Sequence, residues 1–107
     1  MAQTHVREIV PVTDDKGFLV DPATWSRPMA AALANGQVEE LTEEHWTVVS
    51  YLRSYYEEYD DVPPMAMLTH DTGCNLVKLY SLFPEGVGKG ACRIAGIPGS
   101  RIHPLYP

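Results

Sequence analysis

Over the first twenty residues the apolar positions come in short β-rich runs rather than at helical spacing. VREIVPV (6–12) and FLV (18–20) flank TDDKG, a turn sequence in which Gly17 is free to take positive φ, so the pattern predicts a β-hairpin. Pro11 puts the first run at an edge or ends it. Asp21-Pro22 reads as an N-cap followed by proline at the first helical position, and Pro28 interrupts and restarts that segment. PMAAALANG then carries good helix formers and stops at Asn35-Gly36. The clearest element is LTEEHWTVVSYLRSYYEEYDDVPP. Thr42 is its cap, Glu43 and Glu44 suit the positive end of the helix dipole, and Val48, Val49, Leu52, Tyr55, Tyr56 and Tyr59 form one broad apolar face. Pro63-Pro64 ends this helix, and Pro64 opens PMAMLTHDTG, which Gly73 terminates. NLVKLYSLFP reads as a two-turn helix stopped by Pro84, and GVGKGACRIAG as a short helix weakened by its glycines. Beyond Gly96 no periodicity survives, and Pro98 and Pro104 forbid a regular helix.

The expected class is therefore α+β, mostly α. It is a small helical domain with an N-terminal β-hairpin region (1–20), a helical core (21–95) containing a helix-turn-helix-like segment, and an extended C-terminal arm (96–107). The 107 residues make one domain, large enough to bury a core without metal or disulfide. No apolar run approaches the roughly 20 residues of a membrane span. MAQTHVREIV lacks the layout of a signal peptide, so the expected compartment is the cytoplasm, where Cys74 and Cys92 rest as thiols.

Charge sharpens the picture of partners. Residues 1–61 hold four Lys and Arg against twelve Asp and Glu, a balance of −8. Residues 62–107 hold four against two, a balance of +2. The acidic half repels nucleic acid, whereas Lys89, Arg93 and Arg101 on the arm suit a negatively charged cleft. PMAMLTHDTG followed by CNLVKLYSLF has a helix-turn-helix layout, but its second helix offers only Asn75 and Lys78 as groove readers.

Most candidate chemistry fails on spacing. His5, His45, His70 and His103 are scattered, no Cys-x-x-Cys exists, and the paired carboxylates around the main helix read as solvated helix-end charges. The alternating Gly86, Gly88 and Gly90 lack a phosphate-loop spacing. No cofactor and no metal is implied. Cys74 reads as a small buried hydrophobe. Cys92 stands apart, because Lys89 and Arg93 at helical or sequential spacing would favour its thiolate.

LTEEHW, YLRSYYEEY, LYSLFP and GKGACRIAGIP together resemble the DsrC/TusE sulfur-relay family, which includes the gamma subunit of dissimilatory sulfite reductase. The likeness runs from about Gly17 to Pro98. The resemblance implies a mostly helical cytoplasmic monomer whose flexible arm presents cysteine sulfur to partner proteins. Those partners are sulfur donors or acceptors such as a sulfurtransferase, a TusBCD/DsrEFH-like complex or a sulfite-reductase-like enzyme. It implies a carrier or sulfur-responsive protein rather than a self-contained enzyme. Cys92 corresponds to the family's upstream arm cysteine and becomes the candidate sulfur-carrying thiol, supported by Lys89, Arg93, His103 and Arg101. Eleven residues further on, where the resemblance places a terminal cysteine, stands His103, a possible base or hydrogen-bond partner to a Cys92 persulfide. A non-transferring member that regulates or binds partners is the alternative, and a DNA-binding regulator is a third.

Overall fold

The computed structural model describes residues 10–107. The TDDKG turn forms as its chemistry dictates. Asp14 Oδ1 accepts from the backbone N–H of Lys16 (2.9 Å) and of Phe18 (3.0 Å), and Gly17 sits at φ 90°. The expected β-hairpin does not follow. Thr13 and Leu19 make an isolated antiparallel bridge, the Val20 N–H donates to Val12 O at 2.9 Å, and no strand exists among the described residues. The α+β class is thus corrected to an all-helical one. The reason is local. Pro11 has no N–H to offer a ladder, and Val20 runs directly into the turn that Asp21 caps, so almost nothing is left to pair. Residues 6–9 of the first run lie outside the described residues.

Asp21 accepts from the Ala23 N–H and starts a 3-10 turn, Pro22–Thr24. Helix α1 (Arg27–Ala34) begins separately, with Ser26 Oγ accepting from the Met29 N–H and Pro28 in its first turn, where a missing N–H is harmless. Helix α2 (Glu43–Tyr59) is capped by Thr42, and the position where a capping box usually carries Glu holds His45. The Thr42 N–H donates to His45 Nδ1 (3.1 Å), so the proton lies on Nε2, which donates to Leu82 O at 2.9 Å. One side chain thereby closes the start of α2 and ties it to the end of another helix.

Asp60 ends α2 in the left-handed region at φ 55°. After Pro63-Pro64 come α3 (Met65–Thr72), closed by Gly73, and α4 (Leu76–Leu82), capped by Asn75 Oδ1 on the Lys78 N–H at 2.8 Å. The helix-turn-helix layout is therefore present. Its second helix, however, shows Leu76, Val77 and Tyr80 to solvent rather than a row of cations.

The glycine-rich GVGKGAC stretch winds as a π-helical segment, Val87–Cys92. Its wider turn lies in the middle of the core. Val87, Ala91, Cys92, Ile94 and Ile97 are fully buried together with Leu52, Leu68, Leu79 and Phe83. Short π-helical insertions are uncommon and concentrate at functional sites.

The C-terminal arm is not extended, which is the second correction. Gly99–Arg101 form a 3-10 turn, and the chain beyond it lies back on the body. Tyr106 Oη donates to Pro63 O (2.6 Å), the Val87 N–H donates to Pro107 O (3.1 Å), and Arg101 is bidentate on Asp60 (2.8 and 3.2 Å). Two apolar side chains, Ile102 and Tyr106, pack against the core and supply the driving force for this return. Among the described residues no helix is long and apolar enough to cross a membrane.

Candidate functional site

Cys92 is the last residue of the π-helical segment and has no exposed surface. Its segment is held from three sides. At its start Gly88 permits close approach of the tail, since a Cβ there would stand 3.1 Å from Ile102 Cγ2 and 3.7 Å from the Tyr106 ring. The i→i+5 winding keeps Gly88 and Cys92 on nearly the same side, and Tyr106 of the tail is near enough to the thiol to feel its charge. At its end two carbonyls without helical partners are taken up by side chains from the body. Trp25 Nε1 donates to Ile94 O at 2.8 Å, and Arg53 Nη1 donates to Ala95 O at 3.3 Å. Arg53 also reaches Pro22 O (2.8 Å) and Glu57 (2.8 Å), with its guanidinium 4.9 Å from the centre of the Trp25 ring. The chain then turns at Gly96, φ 74°, directly against Trp25, where any Cβ would collide with the indole.

Electrostatics at the thiol follow from this packing. Burial alone pushes the Cys92 thiol far above its ordinary range, because an ion would be stranded in apolar surroundings. The expected thiolate stabilisation by Lys89 and Arg93 is absent from this conformation. Lys89 is exposed, and Arg93 points away toward Gly17 and Gln37; with the Gln37 amide oxygen turned to it, Arg93 Nε donates at 3.2 Å. Burial, reinforced by the neighbouring Cys92, likewise pushes the Tyr106 phenol up.

The remaining sequence candidates are distributed around this core. Lys89 and His103 meet in a cleft of about 600 Å³ between the TDDKG turn and the tail, also lined by Lys16, Phe18, Ile102 and Tyr106. His103 Nδ1 accepts from the Leu105 N–H at 3.0 Å and so shapes the tail's last turn. Arg101 fastens the tail to Asp60. Cys74 is buried between α3 and α4, beside a smaller cleft that contains Lys78 and Glu44. Trp25, Arg53 and Tyr106 are the site residues that sequence reasoning missed. A signal existed for Arg53, a lone cation inside the apolar stripe of α2.

A thiol at the root of a tail, on a segment clamped at both ends, is thus fully buried, with Tyr106 of the tail nearby. Similarity to known proteins agrees with the resemblance read from the sequence. The family model described as "DsrC like protein" matches residues 5–101. The sulfurtransferase TusE of Pectobacterium atrosepticum is 39% identical over 93 residues, covering 80% of this chain and 85% of the relative. Among solved structures, the oxidized gamma-subunit of the dissimilatory sulfite reductase (DsrC) from Archaeoglobus fulgidus superimposes with a TM-score of 0.78 at 43% identity, covering 82% of this chain and 87% of that one. Allochromatium vinosum DsrC gives 0.70 at 37% identity, with 83% and 91% covered. The fold, the placement of the thiol at the root of the tail and these likenesses converge, and the chain belongs to the DsrC-like family.

Proposed function

We infer that this protein is a DsrC/TusE-like sulfur-relay protein of sulfur metabolism, acting in the cytoplasm through the thiol of Cys92. The observation that carries the reading is a cysteine at the root of the C-terminal tail in a chain alike to DsrC and TusE proteins over most of its length. The chemistry is a pair of sulfur transfers. Once uncovered and deprotonated, Cys92 attacks the outer sulfur of a donor persulfide. A new S–S bond forms at Cys92, the donor's S–S bond breaks, and the donor leaves as a thiolate. An acceptor thiolate then attacks the outer sulfur of the Cys92 persulfide and releases Cys92 as the thiolate. Each step moves one zero-valent sulfur and consumes no external oxidant.

Uncovering comes first, because the thiol is buried and held protonated in this conformation. Docking of a donor or acceptor protein on the tail is the natural trigger. Lys89 and Arg93 would then find an ionised partner within reach, and His103 leaves with the tail. In the test, the protein is incubated with a persulfide-loaded sulfurtransferase and its intact mass is measured. Gain of one sulfur that Cys92→Ala abolishes supports the carrier, and absence of the increment, or its survival in Cys92→Ala, sinks it.

The complete burial of Cys92 favours one other reading, a family member that binds partners without transferring sulfur. Partner capture that persists in Cys92→Ala but disappears on deleting residues 97–107 identifies that case.

A further inference from the structure

Helix α2 carries two stripes, and only one of them is used by the core. His45, Val48, Val49, Leu52 and Arg53 face inward and are buried. A second series, Tyr51, Tyr55 and Tyr59 with Glu58 between them, follows the same i, i+4, i+7, i+8 spacing on another side. Together with Met67 and Asp71 of α3 it lines an open groove of about 480 Å³. Tyr59 keeps 59% of its surface exposed and Met67 42%. Tyr55 and Tyr59 are in contact, with ring centres 4.5 Å apart, and Tyr51 is fixed by donating its hydroxyl to Asp71 Oδ2 at 2.6 Å. The rings are therefore ordered before anything binds.

The charge around these rings selects the occupant. Glu58 and Asp71 lie in the groove, no Lys or Arg among the described residues lines it, and His70 beside it pairs with Asp71 Oδ1 at 3.0 Å. The chain's own nearby cations are engaged elsewhere, Arg53 with Glu57 and Arg101 with Asp60. A second copy of this chain, with net charge −6, is repelled. Aromatic faces backed by carboxylates hold guanidinium or ammonium groups through the ring quadrupole and the opposite charge together. We propose that the tyrosine groove between α2 and α3 is a docking site for an arginine- or lysine-bearing segment of a partner protein. The proposal does not rest on Cys92, so it stands or falls separately from sulfur transfer.

The probe is the peptide acetyl-Gly-Arg-Gly-Arg-Gly-amide, compared with its citrulline counterpart, titrated into the full chain at physiological salt while aromatic NMR resonances are followed. The arginine peptide is expected to shift the Tyr51, Tyr55 and Tyr59 signals, and the uncharged isostere is not. Glu58→Gln and Tyr55→Ala are each expected to weaken binding about tenfold. Glu40→Gln, the same loss of charge at an exposed position ahead of α2, should change it less than about twofold. Glu58→Gln leaves the rings in place and guards against a folding defect in Tyr55→Ala. Equal binding of the citrulline peptide, unmoved tyrosine signals, or equal weakening by Glu40→Gln and Glu58→Gln would overturn the assignment.

Discussion

The two sides of α2 solve opposite problems with similar residues. On the inner side Arg53 lies over the rings of both Trp25 and Tyr56, and the cation–aromatic cluster is spent on holding carbonyls at the end of the cysteine segment. On the outer side Tyr51, Tyr55 and Tyr59 stand beside carboxylates, and among the described residues no Lys or Arg lines the groove. The inner cluster is complete, and its worth is structural. The outer one is open, and its worth lies in what it can bind. Aromatic content alone does not separate the two; the fate of each polar neighbour does.

That contrast can be broken most directly at Arg53. Arg53→Met leaves Ala95 O without its donor and Pro22 O with only the Trp25 N–H, and should lower stability by about 3 kcal/mol in urea unfolding. Arg27→Met, which removes an exposed guanidinium 4.1 Å from the Trp46 ring centre, should cost under about 1 kcal/mol. Equal losses would erase the distinction between a cation that holds backbone and one that only decorates a ring.

Next comes the lid over the thiol. Tyr106→Ala removes the hydrogen bond to Pro63 O and the ring's packing, together about 2 kcal/mol of closure. Alkylation of Cys92 should then accelerate about thirtyfold. An unchanged rate would mean that the tail is not what seals the thiol.

The outer side has a titration of its own. The hydrogen bond to Asp71, then burial and the Asp71 charge, push the Tyr51 phenol up to about 12. With the folded value above the ordinary 10, the proton is held more tightly in the folded chain. Any stability from this contact is complete below pH 10 and fades as pH rises toward 12. Ultraviolet titration should show two late-ionising tyrosines, Tyr51 and the more buried Tyr106, and Asp71→Asn should bring only the first down toward 10. If both late components survive in Asp71→Asn, the hydroxyl–carboxylate bond is not what orders the groove.

The smallest effect belongs to the tail's surface clasp. Asp60→Asn keeps a residue that tolerates left-handed backbone while removing the charge that Arg101 grips. Cys92 alkylation should change less than about threefold, because exposed ion pairs contribute little. A larger change would promote the clasp above Tyr106 as the fastening of the lid.

Local punctuation was readable. Asp21, Thr42, Gly73 and the Pro63-Pro64 pair all act where their chemistry places them, because caps and stops work within about a turn of the residue that makes them. The hairpin was misread for a related reason: the turn residues are right, but a ladder also needs pairing partners, and Pro11 and Pro22 flank too short a stretch to supply them. The broad face assigned to α2 was also too broad, since Tyr55 and Tyr59 look as apolar in sequence as Leu52 but line the open groove.

By itself, then, the sequence determined the helix boundaries, the acidic first half, the thiol at Cys92 and enough motif to indicate the family. Only the tertiary structure decided that the tail returns, that Cys92 is fully buried, and that Trp25 and Arg53 grip the segment's end. Those outcomes rest on contacts between residues far apart in the chain, such as Tyr106 with Pro63 at a separation of 43 and Arg53 with Ala95 at 42. Such contacts are set by which surfaces find enough apolar area to bury, and no local pattern of residues encodes that.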